Sequence, residues 1–281
     1  MMRIDLHMHS TVSDGTDTPS ELLERIREAD IEVFALTDHD AIKGCTMVRN
    51  LLKPCDPMFI NGVEFSCRDE EGKYHILGYN YDPDNASILD VVELGHRYRE
   101  KKLMARLEFI RKRFGFSFSE ADVRNLRALD NPGKPHIGNL MVRYGYALSK
   151  DIAIRKYLNQ AHFPNEYVRP EQAIQGILKS GGIPVLAHPA YGSGDELITG
   201  DQMEWRLDRL TGFGLQGVEA FYSTFTPELV REMLSFAEKY NLYVTAGSDY
   251  HGKNKPIALG ETKLDKVESM PDGMKRFLSV I

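Results

Sequence analysis

Apolar and polar positions follow two periods along this chain. Short apolar runs at Ile4–Leu6, Val33–Leu36, Met58–Val63, Ile76–Tyr79, Ile183–Ala187, Gly217–Phe221 and Leu242–Ala246 predict strands. Several of the segments between them carry apolar residues at helical spacing. One helix start is explicit: Thr18 can cap it, Pro19 falls at its first position and Glu21 completes a capping box. Leu22, Leu23, Ile26 and Ala29 then supply one apolar face. Thr226-Pro227-Glu228 repeats that start ahead of Val230, Met233, Leu234 and Ala237. Strand and helix alternating in this way predict βα units and a largely parallel sheet.

The alternation stops between about residues 85 and 165. Ser87–Phe114 reads as one long helix with Leu103, Leu107, Ile110 and Phe114 along it. Shorter helices are predicted at Ser119–Leu126, His136–Tyr144 and Asp151–Asn159. This stretch offers no strand. The expected organisation is an α/β body from residues 1–85 and 166–281, with 86–165 inserted as a helical subdomain.

Composition adds limits. The 281 residues, 42% apolar and 27% charged, suit one large soluble domain with an insertion. No apolar run reaches the roughly 18 residues of a membrane span. A strand starting at Ile4 leaves no room for a signal peptide, so neither a membrane nor export is expected. Cys45, Cys55 and Cys67 are odd in number and lack metal-type spacing, which points to a reducing compartment, the cytoplasm. The net charge of −6 is uneven: residues 90–160 hold 15 Lys/Arg against 8 Asp/Glu, a balance of +7, leaving −13 to the rest. An acidic body suits a site that gathers cations, and a basic segment suits an anionic substrate.

The histidines carry the chemistry. Of nine, seven fall at or just beyond a predicted strand end or in a Gly/Pro-rich loop. Asp5-Leu6-His7-Met8-His9 places two imidazoles at i and i+2 on one face of a strand, where both reach one ion. Asp14 follows in Ser13-Asp14-Gly15. Thr37-Asp38-His39-Asp40 sets an imidazole between two acids, a pattern in which a carboxylate orients a ligand. Glu64 closes the third predicted strand, His75 follows, and His188, Asp249 and His251 stand after later strands. In a parallel barrel such strand ends converge on one mouth. Nine candidate ligands then meet: His7, His9, Asp14, His39, Glu64, His75, His188, Asp249 and His251. Mixed imidazole and carboxylate donors suit Zn2+, Mn2+ or Fe2+. Nine donors exceed one ion, so two or three are expected, with Glu64 the candidate bridge. His96, on a predicted helix, and His162, beyond one, are expected at the surface, and Trp205 in the packing.

On these motifs, with Gly62-Val63-Glu64, Ala187-His188-Pro189 and Ser248-Asp249-Tyr250-His251, the chain resembles the PHP (polymerase and histidinol phosphatase) family of the amidohydrolase superfamily. It looks most like the small phosphoesterases acting on nucleotide-type substrates, whose helical insertion carries an Arg-Pro-His element. Here that element reads Lys134-Pro135-His136. The resemblance implies a distorted (β/α)7 barrel with the insertion covering the active site. It implies one ion on His7, His9, Glu64 and Asp249, a second on Glu64, His75 and His188, and a third on Asp14, His39 and His251. Mn2+ comes first among the metals, then Fe2+ or Zn2+. It also implies phosphate contacts from Lys134 and His136, and catalytic parts for Asp249, His251 and His136. Lys for Arg replaces a bidentate fork with a point charge, which leaves the substrate of that branch open. Arg169 is a further candidate for the phosphate.

The expected activity is hydrolysis of a small phosphorylated metabolite by a metal-bridging hydroxide, without a protein nucleophile. A nucleotide-type phosphomonoester such as a 3′,5′-bisphosphate comes first, and a cyclic phosphodiester competes with it. Histidinol phosphate, 5′-3′ cleavage of short RNA and C–N bond hydrolysis are the alternatives. A non-catalytic scaffold would show eroded ligands, and here every position is filled. No obligate protein partner is expected.

Overall fold

A computed structural model describes residues 2–129, 131–163, 166–191 and 197–281. The encoded helix start is realised. Thr18 Oγ1 accepts the Glu21 amide at 3.3 Å and Glu21 Oε2 accepts the Thr18 amide at 2.8 Å, so α1 (Pro19–Glu28) opens with a complete capping box. Its Leu22, Leu23 and Ile26 are buried in one cluster with Phe34, Leu36 and Val48.

Seven strands lie in sequence order across one sheet: β1 (Ile4–Asp5), β2 (Val33–Leu36), β3 (Met58–Asp69), β4 (Gly72–Tyr79), β5 (Ile183–Leu186), β6 (Gly217–Tyr222) and β7 (Tyr243–Gly247). Helices α1 and α2 (Lys43–Leu51) connect the first three, which run parallel. The Leu6 amide donates to the Ala246 carbonyl at 2.9 Å, joining the first strand region to β7. The sheet is thereby a nearly closed, distorted α/β barrel.

The expectation of a largely parallel sheet needs correction at the centre. β4 runs antiparallel to both β3 and β5. Parallel neighbours require a crossover of roughly a dozen residues, and only Glu70 and Glu71 separate the paired Asp69 and Gly72. Gly72 turns the hairpin with φ 149°, a region open to glycine. As a result β3 runs on to Asp69, and His75 sits within a strand.

The chain divides into two compact units, Met1–Val92 with Val168–Ile281, and Glu93–Tyr167. α3 (Ala86–Phe114) begins in the first and continues in the second, followed by α4 (Glu120–Arg127), α5 (Lys134–Arg143) and α6 (Lys150–Lys156). The second unit has its own core of Leu103, Leu107, Ile110, Leu126, Ile137, Leu140, Met141 and Ala153. Lys134 and His136 occupy the first turn of α5, which starts two residues ahead of the helix predicted at His136–Tyr144. His136 Nδ1 accepts the Gly133 amide at 3.1 Å, satisfying a donor at the helix start. His96 is half-buried, not at the surface.

The first unit is completed by α7 (Pro170–Lys179), α8 (Gly200–Gly212), α9 (Pro227–Lys239) and α10 (Asp272–Ser279). On α8, Met203, Leu207 and Leu210 form the buried stripe, which leaves Trp205 on the outer side, 49% exposed. Among the described residues no helix is long and apolar enough to cross a membrane.

Candidate metal centre

The segment after β1 carries His7 and His9, and the barrel seam fixes it. The Asp249 amide donates to the His7 carbonyl at 2.8 Å, and the His9 amide to the Tyr250 carbonyl at 2.9 Å. Asp5, fully buried, accepts the amides of Ser248 at 2.9 Å and Gly260 at 2.8 Å and the Ser248 hydroxyl at 2.6 Å. Burial pushes its carboxyl up to about 6, against those hydrogen bonds. Asp38, one of the two acids flanking His39, holds the turn that leads to Asp14. It accepts the Ser10 amide at 2.8 Å and the hydroxyls of Ser10 and Ser13 at 2.7 and 2.6 Å.

Five imidazoles form a closed ring around Glu64. Centroid separations are 5.9 Å for His188 to His7, 5.3 Å for His7 to His9 and 4.6 Å for His9 to His39. His39 to His75 and His75 to His188 are each 5.0 Å. The Glu64 carboxylate divides between them. Its Oε2 lies 3.3, 3.2 and 3.0 Å from nitrogens of His7, His9 and His39, and its Oε1 lies 2.7 and 3.2 Å from His75 and His188. His251 stacks on His9 at 4.0 Å and reaches Asp14 Oδ1 at 3.2 Å. Asp249 Oδ1 stands 3.5 Å from His7 Nε2 and 3.3 Å from His9 Nε2. The barrel mouth therefore gathers all nine residues singled out as ligands. Asp40, His188 and Asp249 hold positive φ values of 50°, 27° and 58°, backbone strain of the kind concentrated at functional sites.

These donors suit divalent ions by a direct test. Three side-chain atoms here, His7 Nε2, His9 Nε2 and Asp14 Oδ1, are buried without a hydrogen bond, although carboxylate or imidazole atoms lie close by. A buried polar atom left so is costly unless something else satisfies it. A tetrahedral ion with bonds of about 2.1 Å spaces its donors about 3.4 Å apart. His7 Nε2, His9 Nε2, Glu64 Oε2 and Asp249 Oδ1 are separated by 3.2 to 3.5 Å on the four edges recorded. Donor groups compact enough for an ion also form from His9, Asp14, His39 and His251, and from His39, Glu64 and His75.

The PHP domain family model matches residues 5–158, more than half of the chain. This chain belongs to the PHP domain family. It is similar to a 5′-3′ exoribonuclease of Haemophilus influenzae, 28% identical over 98% of this chain and 99% of that protein. It is also similar to a 3′,5′-nucleoside bisphosphate phosphatase of Chromobacterium violaceum, 29% identical over 89% and 88%. A crystal structure from Bifidobacterium adolescentis superposes with a TM-score of 0.81 at 26% identity, covering 99% of this chain and 96% of that one. The protein is a metal-dependent phosphoester hydrolase with a PHP barrel.

The PHP site depends on a residue the motifs do not include. Glu219, fully buried, accepts from His7 Nδ1 at 3.0 Å and from the His188 amide at 2.7 Å. It thus turns His7 Nε2 toward Glu64 and ties two candidate ligands together. A register shift between β6 and β7 separates Glu219, opposite Thr245, from Phe221, opposite Ala246, and such bulges re-aim side chains. Gly247 leaves room for this contact: a Cβ there would meet His7 Cβ at 2.2 Å and Glu219 Oε1 at 2.3 Å.

The expected phosphate contacts have recorded partners of their own. Lys134 and His136 belong to the second unit, where Lys134 Nζ donates to Asn159 Oδ1 at 2.7 Å. Arg169 is paired with Glu70 through two bonds of 3.1 and 3.0 Å.

The electrostatics give a pH prediction. Burial works to lower the His7 imidazole, but Glu219, Glu64 and Asp249 together hold it well above its ordinary value. Against the same burial, Asp249 and Glu64 raise His9 to about 9. Both therefore carry protons near neutrality, and an ion must displace them. Ion binding should release about one to two protons per site at pH 7.5, and apparent affinity should rise with pH until about 9. Calorimetric titration with Mn2+ in buffers of different ionisation enthalpy reads this release. An absence of proton release would show both imidazoles already neutral.

Proposed function

We propose that this protein is a phosphomonoesterase removing a terminal phosphate from a nucleotide-type substrate, 3′,5′-bisphosphates first, with two or three divalent ions, Mn2+ first among them. The carrying observation is the trio of buried, unsatisfied donor atoms on His7, His9 and Asp14 within the cluster of candidate ligands at the barrel mouth. In this reading His7, His9, Glu64 and Asp249 hold one ion, His75 and His188 share Glu64 for a second, and Asp14, His39 and His251 hold a third. The bisphosphate phosphatase relative supports the substrate class.

When bound, such ions lower the pKa of water toward about 7 and neutralise phosphoryl charge. The protein's own part is to keep the donors fixed. Glu219 holds the His7 ring, and Tyr222 donates to Asp249 Oδ2 at 2.8 Å. Burial and Asp249 keep the Tyr222 phenol above its usual range, so it stays a donor. Thr37 is no nucleophile: its hydroxyl is engaged with the Met8 backbone at 3.1 Å. His75 and Asp14, with side chains 32% and 35% exposed, mark the open side of a ring whose other candidate ligands are at most 16% exposed.

The test is a matched panel with Mn2+-loaded protein: adenosine 3′,5′-bisphosphate, a five-membered cyclic phosphodiester, histidinol phosphate, a 5′-phosphorylated RNA oligonucleotide and an amide. Inorganic phosphate should appear fastest from the bisphosphate, stop with chelator and return with Mn2+. Faster turnover of the RNA or the cyclic diester would overturn the substrate assignment.

A further inference from the structure

Asp249 faces two ways. Its Oδ1 lies among His7 Nε2, His9 Nε2 and His251 Nδ1 at 3.5, 3.3 and 3.3 Å. Its Oδ2 is held by the Tyr222 hydroxyl at 2.8 Å and by Lys255 Nζ at 2.5 Å. Tyr222 is largely buried, whereas the Lys255 side chain is 37% exposed. The Lys255 ammonium thus touches a candidate ligand on a side chain that is still partly exposed. An ammonium has three donors, and among the described residues Asp249 is the partner recorded for Lys255.

The backbone fixes this placement. Lys255 follows the turn Gly252–Asn254, which is bound to the loop carrying Asp14. The Lys253 amide donates to Thr16 Oγ1 at 2.9 Å, and Asn254 Nδ2 donates to the Asp14 carbonyl at 2.7 Å. Gly252, at φ 62°, allows that approach, since a Cβ there would meet Thr16 Oγ1 at 2.0 Å. The site is rich in carboxylates, and a phosphate ester is itself anionic, so a protein cation at the rim has a purpose beyond holding Asp249. Arg169, considered for this part together with Lys134, is already paired with Glu70.

We propose that Lys255 is a substrate-binding residue, capturing the phosphoryl group with the donors that Asp249 leaves open. This rests on the phosphoesterase reading above. The rival account, in which Lys255 only orients Asp249, makes it equivalent to Tyr222, and that equivalence can be tested. Lys255→Met, Lys255→Arg and Tyr222→Phe would be compared in the Mn2+-loaded enzyme. The readouts are KM, kcat, the competitive inhibition constant of inorganic phosphate, and bound metal. Loss of a charged hydrogen bond should raise KM and the phosphate constant together by about 10- to 100-fold in Lys255→Met. Its metal content should match the parent, and Lys255→Arg should recover most of the loss. In Tyr222→Phe the phosphate constant should stay within about 2-fold. An unchanged phosphate constant in Lys255→Met, or a loss of metal shared with Tyr222→Phe, would overturn the proposal. If the parent protein hydrolyses no phosphoester, the parent reading fails instead. Calorimetric binding of inorganic phosphate to the Mn2+-loaded protein then still decides the question for Lys255.

Discussion

Glu64→Ala is expected to lower kcat/KM by at least about three orders of magnitude, roughly 4 kcal/mol of transition-state stabilisation. The reason is its position. Glu64 contacts His7, His9 and His39 through one oxygen and His75 and His188 through the other, so both donor groups lose the carboxylate they share. The surrounding imidazoles hold its carboxyl well below the usual range despite complete burial, which keeps it ionised and ready to ligate. Bound metal should fall along with activity. Activity within about 10-fold of the parent, measured with stoichiometric metal, would show that Glu64 is not the bridge.

The second large effect is expected at Glu219, which no motif marks. Glu219→Ala leaves the buried His7 Nδ1 and the His188 amide without their acceptor, at about 1–3 kcal/mol for each unsatisfied group. Removing a carboxylate that orients a ligating imidazole typically weakens metal affinity about 10- to 100-fold. The variant should therefore bind Mn2+ more weakly by that factor and melt at lower temperature, both read by titration and thermal unfolding. Unchanged Mn2+ affinity would mean that His7 is oriented by the backbone alone.

Much of the centre was legible because its pieces are local. His7 and His9 declare themselves by i, i+2 spacing, and Asp249 and His251 by the same spacing after an apolar strand. The start of α1 was legible because Thr18, Pro19 and Glu21 are a chemical unit within four residues. The direction of β4 was not. Its turn, Glu70-Glu71, lacks the Asn-Gly or Asp-Gly pair that marks a two-residue hairpin, so sequence places His75 only in the segment after the third strand. Glu219 was hidden for a different reason. It is one acid within the apolar run Gly217–Tyr222, and its meaning depends on a bulge against β7. Lys255 sits in a loop as one of 35 basic residues, with nothing in its neighbours to distinguish it. Asp38 was noticed, but its partners Ser10 and Ser13 lie more than twenty residues away, and sequence alone favoured the adjacent His39. The start of α5 falls two residues ahead of the predicted His136, because Gly133 and Pro135 mask it while the His136 side chain supplies the cap.

Anomalous diffraction from crystals grown with Mn2+, recorded at the manganese edge, is the most direct measurement. Manganese peaks are expected within about 2.0–2.4 Å of His7 Nε2 and His9 Nε2, with a neighbouring peak about 3.5–4 Å away across Glu64. Peaks confined to surface carboxylates, with His7, His9 and Glu64 bare in a protein that still hydrolyses phosphoesters, would contradict the metal centre on which the whole account stands.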